Sequence, residues 1–121
     1  MPTAETILLV EDEPSIRMLM RTVLESEGYR VLEARNGHEA LEKFDGTVDL
    51  LLTDIRLPHI DGHAVIELLR ERRRSLRVLA ISAYPLTGEP DEVPFLAKPF
   101  THDALLAAVR TVLRGSDTGT A

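Results

Sequence analysis

Residues 48–54 read VDLLLTD, an apolar run that ends in an aspartate, and residues 7–12 repeat this design as ILLVED. A run that is apolar at consecutive positions predicts a strand buried on both faces, as at the centre of a parallel sheet. Shorter apolar runs lie at residues 31–32, 78–81 and 95–97. The sequence therefore predicts a sheet of five strands.

The segments between these runs have helical spacing. Apolar residues at positions 16, 19, 20, 23 and 24 form one stripe on a helix that begins at Pro14 and ends near Gly28. Three further helices are predicted by the sets Ala40, Leu41 and Phe44; Val65, Leu68 and Leu69; and Leu105, Val109, Val112 and Leu113. Alternating strands and helices predict an α/β fold, with a doubly wound parallel sheet and helices on both of its faces.

Length and composition limit the class of protein. A chain of 121 residues predicts one domain, with an ordered core at about residues 6–114 and a flexible tail at 115–121. The net charge of −6 argues against nucleic acid and anionic membranes as partners, and the absence of cysteine excludes thiolate metal sites and cysteine nucleophiles. No segment predicts a secretion signal or a membrane span, so the expected location is the cytoplasm.

Polar side chains follow the predicted strands. Ligands of an open parallel sheet bind beyond the carboxyl ends of its strands, where these side chains would meet. They are Glu11, Asp12, Asp54, Ser82 and Lys98. Carboxylates without nitrogen or sulfur ligands suit Mg²⁺ or Mn²⁺, and a carboxylate beside a divalent cation, a lysine and a hydroxyl suits phosphoryl transfer.

Four short motifs in this order carry a resemblance to a known family. They are VEDEP at 10–14, LLLTDIRLPHIDG at 50–62, Ser82-Ala83 after VLAI, and LAKPF at 96–100. Together they resemble a bacterial response-regulator receiver domain of two-component systems, and the resemblance covers residue 6 to about 113. It implies a flavodoxin-like fold with strand order 2-1-3-4-5.

The resemblance also implies a role for each matching residue. Asp54 would be phosphorylated, with Ser82 and Lys98 contacting the phosphoryl group. Mg²⁺, or Mn²⁺ as a substitute, would bind Glu11, Asp12, Asp54 and the backbone carbonyl of Arg56. The remaining implied roles are a conformational switch at Ser82 and Phe95, control of phosphoryl access by Ala83, Tyr84 and Arg56, and a cis bond between Lys98 and Pro99.

The segment between Ser82 and Phe95 departs from the family pattern. Receivers usually form a fourth helix there, but this segment contains three prolines and a glycine. Because an interior proline costs a helix about 3 kcal/mol, we expect the fourth helix to be absent or rudimentary. Many receivers dimerise through that helix, so we expect a monomer or a non-standard dimer.

The implied function is that of a stand-alone phosphoacceptor in a two-component system or phosphorelay. A histidine kinase or a histidine phosphotransfer protein would donate the phosphate, and the output would be an unidentified protein contact. Such a domain assists its own phosphorylation and dephosphorylation and is not a conventional turnover enzyme.

Several alternatives remain open. The chain could be a receiver fragment of a hybrid histidine kinase or a degenerate receiver that only binds partners. It could also be a small Mg²⁺-dependent phosphohydrolase with an aspartyl nucleophile, although Arg56 stands where such enzymes usually carry a second aspartate. For Glu11 and Asp12, the alternative role is to cap the first helix.

Overall fold

Helices and strands alternate along residues 4–83 and 93–114, the parts of the chain that the computed structural model describes. In chain order they are β1 (Thr6–Val10), α1 (Pro14–Ser26), β2 (Arg30–Ala34), α2 (Gly37–Lys43), β3 (Leu50–Asp54), α3 (Gly62–Arg72), β4 (Arg77–Ser82), β5 (Phe95–Ala97) and α4 (His102–Arg114). None of these helices is long and apolar enough to cross a membrane.

The five strands form one parallel sheet in the order β2-β1-β3-β4-β5. This order confirms the predicted flavodoxin-like fold. Val10 pairs with Thr53, Asp54 pairs with Ile81, and Ser82 pairs with Ala97. Each of these four strands therefore ends within one residue of its neighbour, so the residues that follow them meet at one edge of the sheet.

Each face of the sheet is covered by two helices. Successive residues of a strand point to opposite faces, so consecutive apolar residues in β1, β3 and β4 supply two hydrophobic cores. One core joins Ile7, Leu9, Leu50, Leu52, Leu79 and Ile81 to α1 and α4. The other joins Leu8, Val10, Leu51, Val78 and Ala80 to α2 and α3. The continuous apolar runs thus reflect burial on both faces.

The first helix begins and ends as predicted, but its apolar stripe is narrower. Glu13 caps the helix by accepting a hydrogen bond from the Ser15 backbone N–H at 3.0 Å, and Gly28 has the positive φ of 94° that favours glycine after a helix. Leu19 was predicted to face the core, yet it is 50% exposed. Leu19 lies about 100° around the helix from the buried Met20, so it lies at the edge of the face that α1 packs on the sheet.

Two other helix predictions are wrong by small amounts. Leu68 is exposed because it lies about 100° around α3 from the buried Leu69. Phe44 was assigned to the second helix but follows its last residue, where the backbone is extended. The predicted loss of the fourth helix concerns residues 83–94, of which 84–92 lie outside the described residues, as does the predicted tail at 115–121. Those two predictions remain predictions.

Candidate functional site

Three carboxylates meet at the carboxyl edge of the sheet. Glu11 and Asp12 directly follow β1, and Asp54 is the last residue of β3. One carboxylate oxygen from each residue lies within 4.8 Å of the other two. Glu11 and Asp54 are buried and Asp12 is exposed, so the cluster opens to solvent on the side of Asp12.

Lys98 supplies a positive charge to this cluster. Its Nζ lies 2.6 Å from Asp54 Oδ2 and 3.5 Å from Glu11 Oε1. The Lys98 backbone N–H donates to the Ser82 carbonyl oxygen at 2.8 Å, and the bond from Lys98 to Pro99 is cis. Burial lowers the pKa of Lys98, but the hydrogen bond to Asp54 and the charges of Glu11 and Asp54 outweigh it and raise that pKa. Lys98 is therefore protonated at neutral pH.

Glu11 is a buried carboxylate with one unsatisfied oxygen. Its Oε2 accepts a hydrogen bond from the Glu13 backbone N–H at 3.1 Å, whereas its Oε1 has no hydrogen-bond partner among the described residues. Burial and the nearby charge of Asp54 raise the pKa of Glu11 to about 7, against the opposing effects of the Glu13 N–H and Lys98. Two charges at this spacing repel by roughly 3 kcal/mol at an effective dielectric constant of about 20.

These residues fit a divalent cation of the Mg²⁺ type. The donor atoms are carboxylate oxygens, which Mg²⁺ and Mn²⁺ prefer, and the exposed side of the cluster leaves room for the waters that Mg²⁺ retains. A cation beside Glu11 would coordinate Oε1, which accepts no hydrogen bond, and would favour the ionised form of Glu11.

Asp54 is held through both of its carboxylate oxygens. Oδ2 accepts from Lys98, and Oδ1 accepts from the Arg56 backbone N–H at 2.9 Å. The Arg56 carbonyl was predicted to bind the metal, whereas this contact of the Arg56 N–H with Asp54 was not predicted. Arg56 is exposed, whereas its neighbour Ile55 is buried.

Gly62 is a further residue of the site that the sequence analysis missed. Its N–H donates to the Ile55 carbonyl oxygen at 2.8 Å, and a Cβ at this position would lie 2.4 Å from the Asp54 carbonyl oxygen. The start of α3 thus packs directly on the backbone of the central aspartate. The available signal was a glycine that follows the helix-capping Asp61 in a turn-rich segment.

Ser82 is the last residue of β4, which lies between β3, where Asp54 ends the strand, and β5, which Lys98 follows, and Ser82 is buried. Ala83, the next residue, is exposed. Phe95, at the start of β5, is 46% exposed. Tyr84, which was assigned to phosphoryl access, lies outside the described residues.

The alternative role of Glu11 and Asp12 as helix caps is wrong, because Glu13 caps α1.

The backbone of the acidic residues has a contact with α1 that the sequence did not indicate. Arg17, on the first turns of α1, donates from Nη1 to the Glu11 carbonyl oxygen at 2.8 Å.

Comparison with known families and sequences gives a consistent result. A family model described as the response regulator receiver domain matches residues 7–110. The sensor kinase CckA of Brucella abortus is 35% identical over an alignment of 121 positions, which covers 93% of this chain and 13% of the kinase. The transcriptional regulatory protein CpxR of Escherichia coli is 34% identical over an alignment of 118 positions, which covers 91% of this chain and 50% of the regulator. The chain thus spans about half of that regulator and a small part of the kinase.

Solved structures agree with these matches. The receiver domain from hybrid histidine kinase CckA has a TM-score of 0.78 and 40% identity, covering 89% of this chain and 98% of that domain. The response regulator protein TrrA from Thermotoga maritima, solved in complex with Mg²⁺ and BeF, has a TM-score of 0.78 and 33% identity, with the same coverage of 89% and 98%.

Proposed function

This chain belongs to the response regulator receiver domain family, and we propose that Asp54 is the carboxylate on which it accepts a phosphoryl group. Receiver domains are the phosphoacceptors of two-component systems. The assignment to Asp54 is supported by the hydrogen bonds that hold its carboxylate. Oδ2 accepts one from Lys98, and Oδ1 accepts one from the Arg56 N–H. Glu11, the other buried carboxylate of the site, lies farther from Lys98.

In the proposed reaction, an oxygen of Asp54 forms a bond to phosphorus while the phosphorus–nitrogen bond of a phosphohistidine breaks. The departing imidazole nitrogen takes up a proton, and Asp54 becomes an acyl phosphate. Lys98 can exchange its contact with the carboxylate for one with a phosphoryl oxygen, because its side chain is 24% exposed. Fixed donors around the transferring group are the main requirement of phosphoryl transfer.

Receiver domains bind Mg²⁺ through an acidic pocket, and we assign that pocket here to Glu11, Asp12, Asp54 and the Arg56 carbonyl, with Mn²⁺ as a substitute. When bound, the cation offsets the repulsion between the carboxylates and the incoming phosphoryl oxygens. The unpartnered oxygen of Glu11 supports this assignment. The exposed Asp12 leaves the pocket accessible from solvent.

The remaining site residues receive roles on the same basis. Ser82, at the end of the strand between Asp54 and Lys98, would donate its hydroxyl to the phosphoryl group. Phe95 would change its exposure when that hydroxyl moves, and its present exposure leaves room for such a change. Ala83, Tyr84 and Arg56 would limit the access of water to the acyl phosphate.

The phosphoryl donor in this proposal is a histidine kinase or a histidine phosphotransfer protein. Each chain carries one acceptor and is modified once, in contrast to an enzyme that releases product repeatedly. The structure places the exposed Arg56 two residues after Asp54, where an aspartyl phosphohydrolase would need an acid and base. This supports a stoichiometric acceptor.

Incubation with phosphoramidate and Mg²⁺, followed by intact-mass measurement, tests the proposal. We expect one added phosphoryl group on the wild type, none on Asp54→Asn, and none on the wild type in EDTA. Asp61→Asn is the matched control, because it removes a carboxylate of the same loop while keeping the cap of α3. An unchanged adduct on Asp54→Asn, or repeated turnover of a phosphomonoester, would contradict the proposal.

A further inference from the structure

We propose that Arg17 is a positioning residue for the acidic loop, residues 11–13, and that it sets the affinity of the site for Mg²⁺. This inference rests on the proposed function, since it concerns the same metal pocket. Arg17 lies on α1, outside the pocket, and its Nη1 donates to the Glu11 carbonyl oxygen at 2.8 Å. It therefore acts on the metal ligands through the backbone that carries them.

The contact completes a set of three anchors on Glu11. The Glu11 N–H donates to the Ala34 carbonyl oxygen at 3.1 Å, and the side-chain Oε2 accepts from the Glu13 N–H. Arg17 holds the carbonyl group. With these three points fixed, Oε1 is the atom of the residue left to face Lys98 and the pocket.

The same contact orients Asp12. The Glu11 carbonyl and the Asp12 nitrogen and Cα belong to one planar peptide unit, so a donor that holds the oxygen also fixes the direction in which the Asp12 side chain leaves the backbone. Asp12 is exposed and lies beyond the end of β1, so the sheet does not fix the direction of its backbone. Groups that orient metal ligands from behind often change metal affinity by 10- to 100-fold.

Glu33 on β2 holds Arg17 in place. Arg17 Nε lies 3.2 Å from Glu33 Oε1, and the two side chains are 14% and 28% exposed, so solvent screens this pair only partly. Glu33 also neutralises the charge of Arg17, which would otherwise oppose a cation in the pocket. Arg21 shares Glu33, binding Oε2 at 2.7 Å, but its contacts are to Glu33 and Glu25, not to the acidic loop.

Arg21 thus offers a matched control, since Arg21→Ala removes a neighbouring arginine from the same carboxylate. Calorimetric titration of each full-length, metal-free variant with MgCl₂ measures the dissociation constant. We expect about a tenfold increase for Arg17→Ala and a change within about twofold for Arg21→Ala. Arg17→Lys retains a donor but loses the guanidinium that contacts Glu33 and the Glu11 carbonyl at the same time. Its dissociation constant for Mg²⁺ should therefore fall between those of the wild type and Arg17→Ala.

Two further measurements separate positioning from general stability. Thermal unfolding should show a larger loss for Arg17→Ala than for Arg21→Ala, because the Arg17 side chain is 14% exposed and that of Arg21 is 49% exposed, but both variants should remain folded at the temperature of the titration. Amide shifts of residues 11–13 should change only in the Arg17 variants. If Arg17→Ala does not fold, Glu33→Gln takes its place, and it should also weaken Mg²⁺ binding. A folded Arg17→Ala with wild-type affinity would overturn the inference and leave the proposed function intact. A wild type that does not bind Mg²⁺ would instead overturn the proposed function.

Discussion

Replacing Gly62 by alanine is expected to displace the backbone of Asp54 and so to lower both stability and the rate of phosphorylation. The new Cβ would lie 2.4 Å from the Asp54 carbonyl oxygen and 2.7 Å from the Ile55 Cα, whereas ordinary contacts begin near 3.4 Å. Both neighbours are backbone atoms, so no side chain can rotate to relieve the overlap. The hydrogen bond from the Gly62 N–H to the Ile55 carbonyl oxygen also holds the two segments together. The start of α3 and the strand end that carries Asp54 must therefore move apart by roughly 0.6 to 1 Å.

The size of the effect follows from these overlaps. Overpacking of this severity costs up to about 3 kcal/mol, and the better helix propensity of alanine recovers at most about 1 kcal/mol. We expect Gly62→Ala to lower the free energy of unfolding by roughly 2 kcal/mol. A displacement near 1 Å at a reacting group can slow a reaction by about 100-fold. Because Asp54 must keep contacts of 2.6 Å and 2.9 Å, we expect phosphorylation by phosphoramidate to slow at least about tenfold.

Urea unfolding followed by circular dichroism and intact-mass phosphorylation rates measure the two effects. Gly46→Ala is the neutral control, since nothing lies within 4 Å of the added Cβ. Gly37→Ala is the stability control: its Cβ would lie 2.9 Å from the Val65 side chain, 3.0 Å from the Ile60 Cβ and 3.2 Å from the Ile60 carbonyl oxygen, and none of these atoms belongs to Asp54. It should therefore destabilise the fold but slow phosphorylation less than Gly62→Ala. Wild-type stability and rate in Gly62→Ala would refute this reasoning.

Two further predictions concern other parts of the site. Without metal, the pKa of Glu11 is raised from an ordinary value of 4.5 to about 7 in the folded protein, so folding favours the protonated carboxyl. The stability that protonated Glu11 contributes is fully present below pH 4.5 and is lost as pH rises to 7. The difference in unfolding free energy between Glu11→Gln and the wild type in EDTA should therefore grow by about 3 kcal/mol across this range. A constant difference in urea titrations would show that folding does not raise the pKa of Glu11. His59 has a φ of 68°, which glycine adopts without strain, so His59→Gly should raise the melting temperature and His59→Val should lower it by the equivalent of about 1 kcal/mol or more. Equal melting temperatures for the two variants would rule out backbone strain at this position.

The order of strands and helices could be predicted from local patterns. Consecutive apolar residues, as at Leu50 to Leu52, mark a strand that is buried on both faces wherever it lies in the sheet. The polar residues after such strands, Asp54 among them, are then candidates for a shared site because parallel strands end at one edge. Pro14 and Gly28 bounded the first helix for reasons equally local to the backbone.

Contacts between distant segments were decided only by the tertiary structure. The 2.6 Å contact of Lys98 with Asp54 joins residues 44 positions apart. Whether a hydrogen-bond donor reaches Glu11 Oε1 depends on all the segments that pack around it. Arg17 carries no sequence signal of its own, because an arginine on a helix surface is common, and the glycine after Asp61 indicates a turn but not its contact with the Asp54 backbone. Side-chain periodicity and strand ends are properties of neighbouring residues, whereas distances, burial and charge at a site depend on how the elements pack, which no short segment encodes.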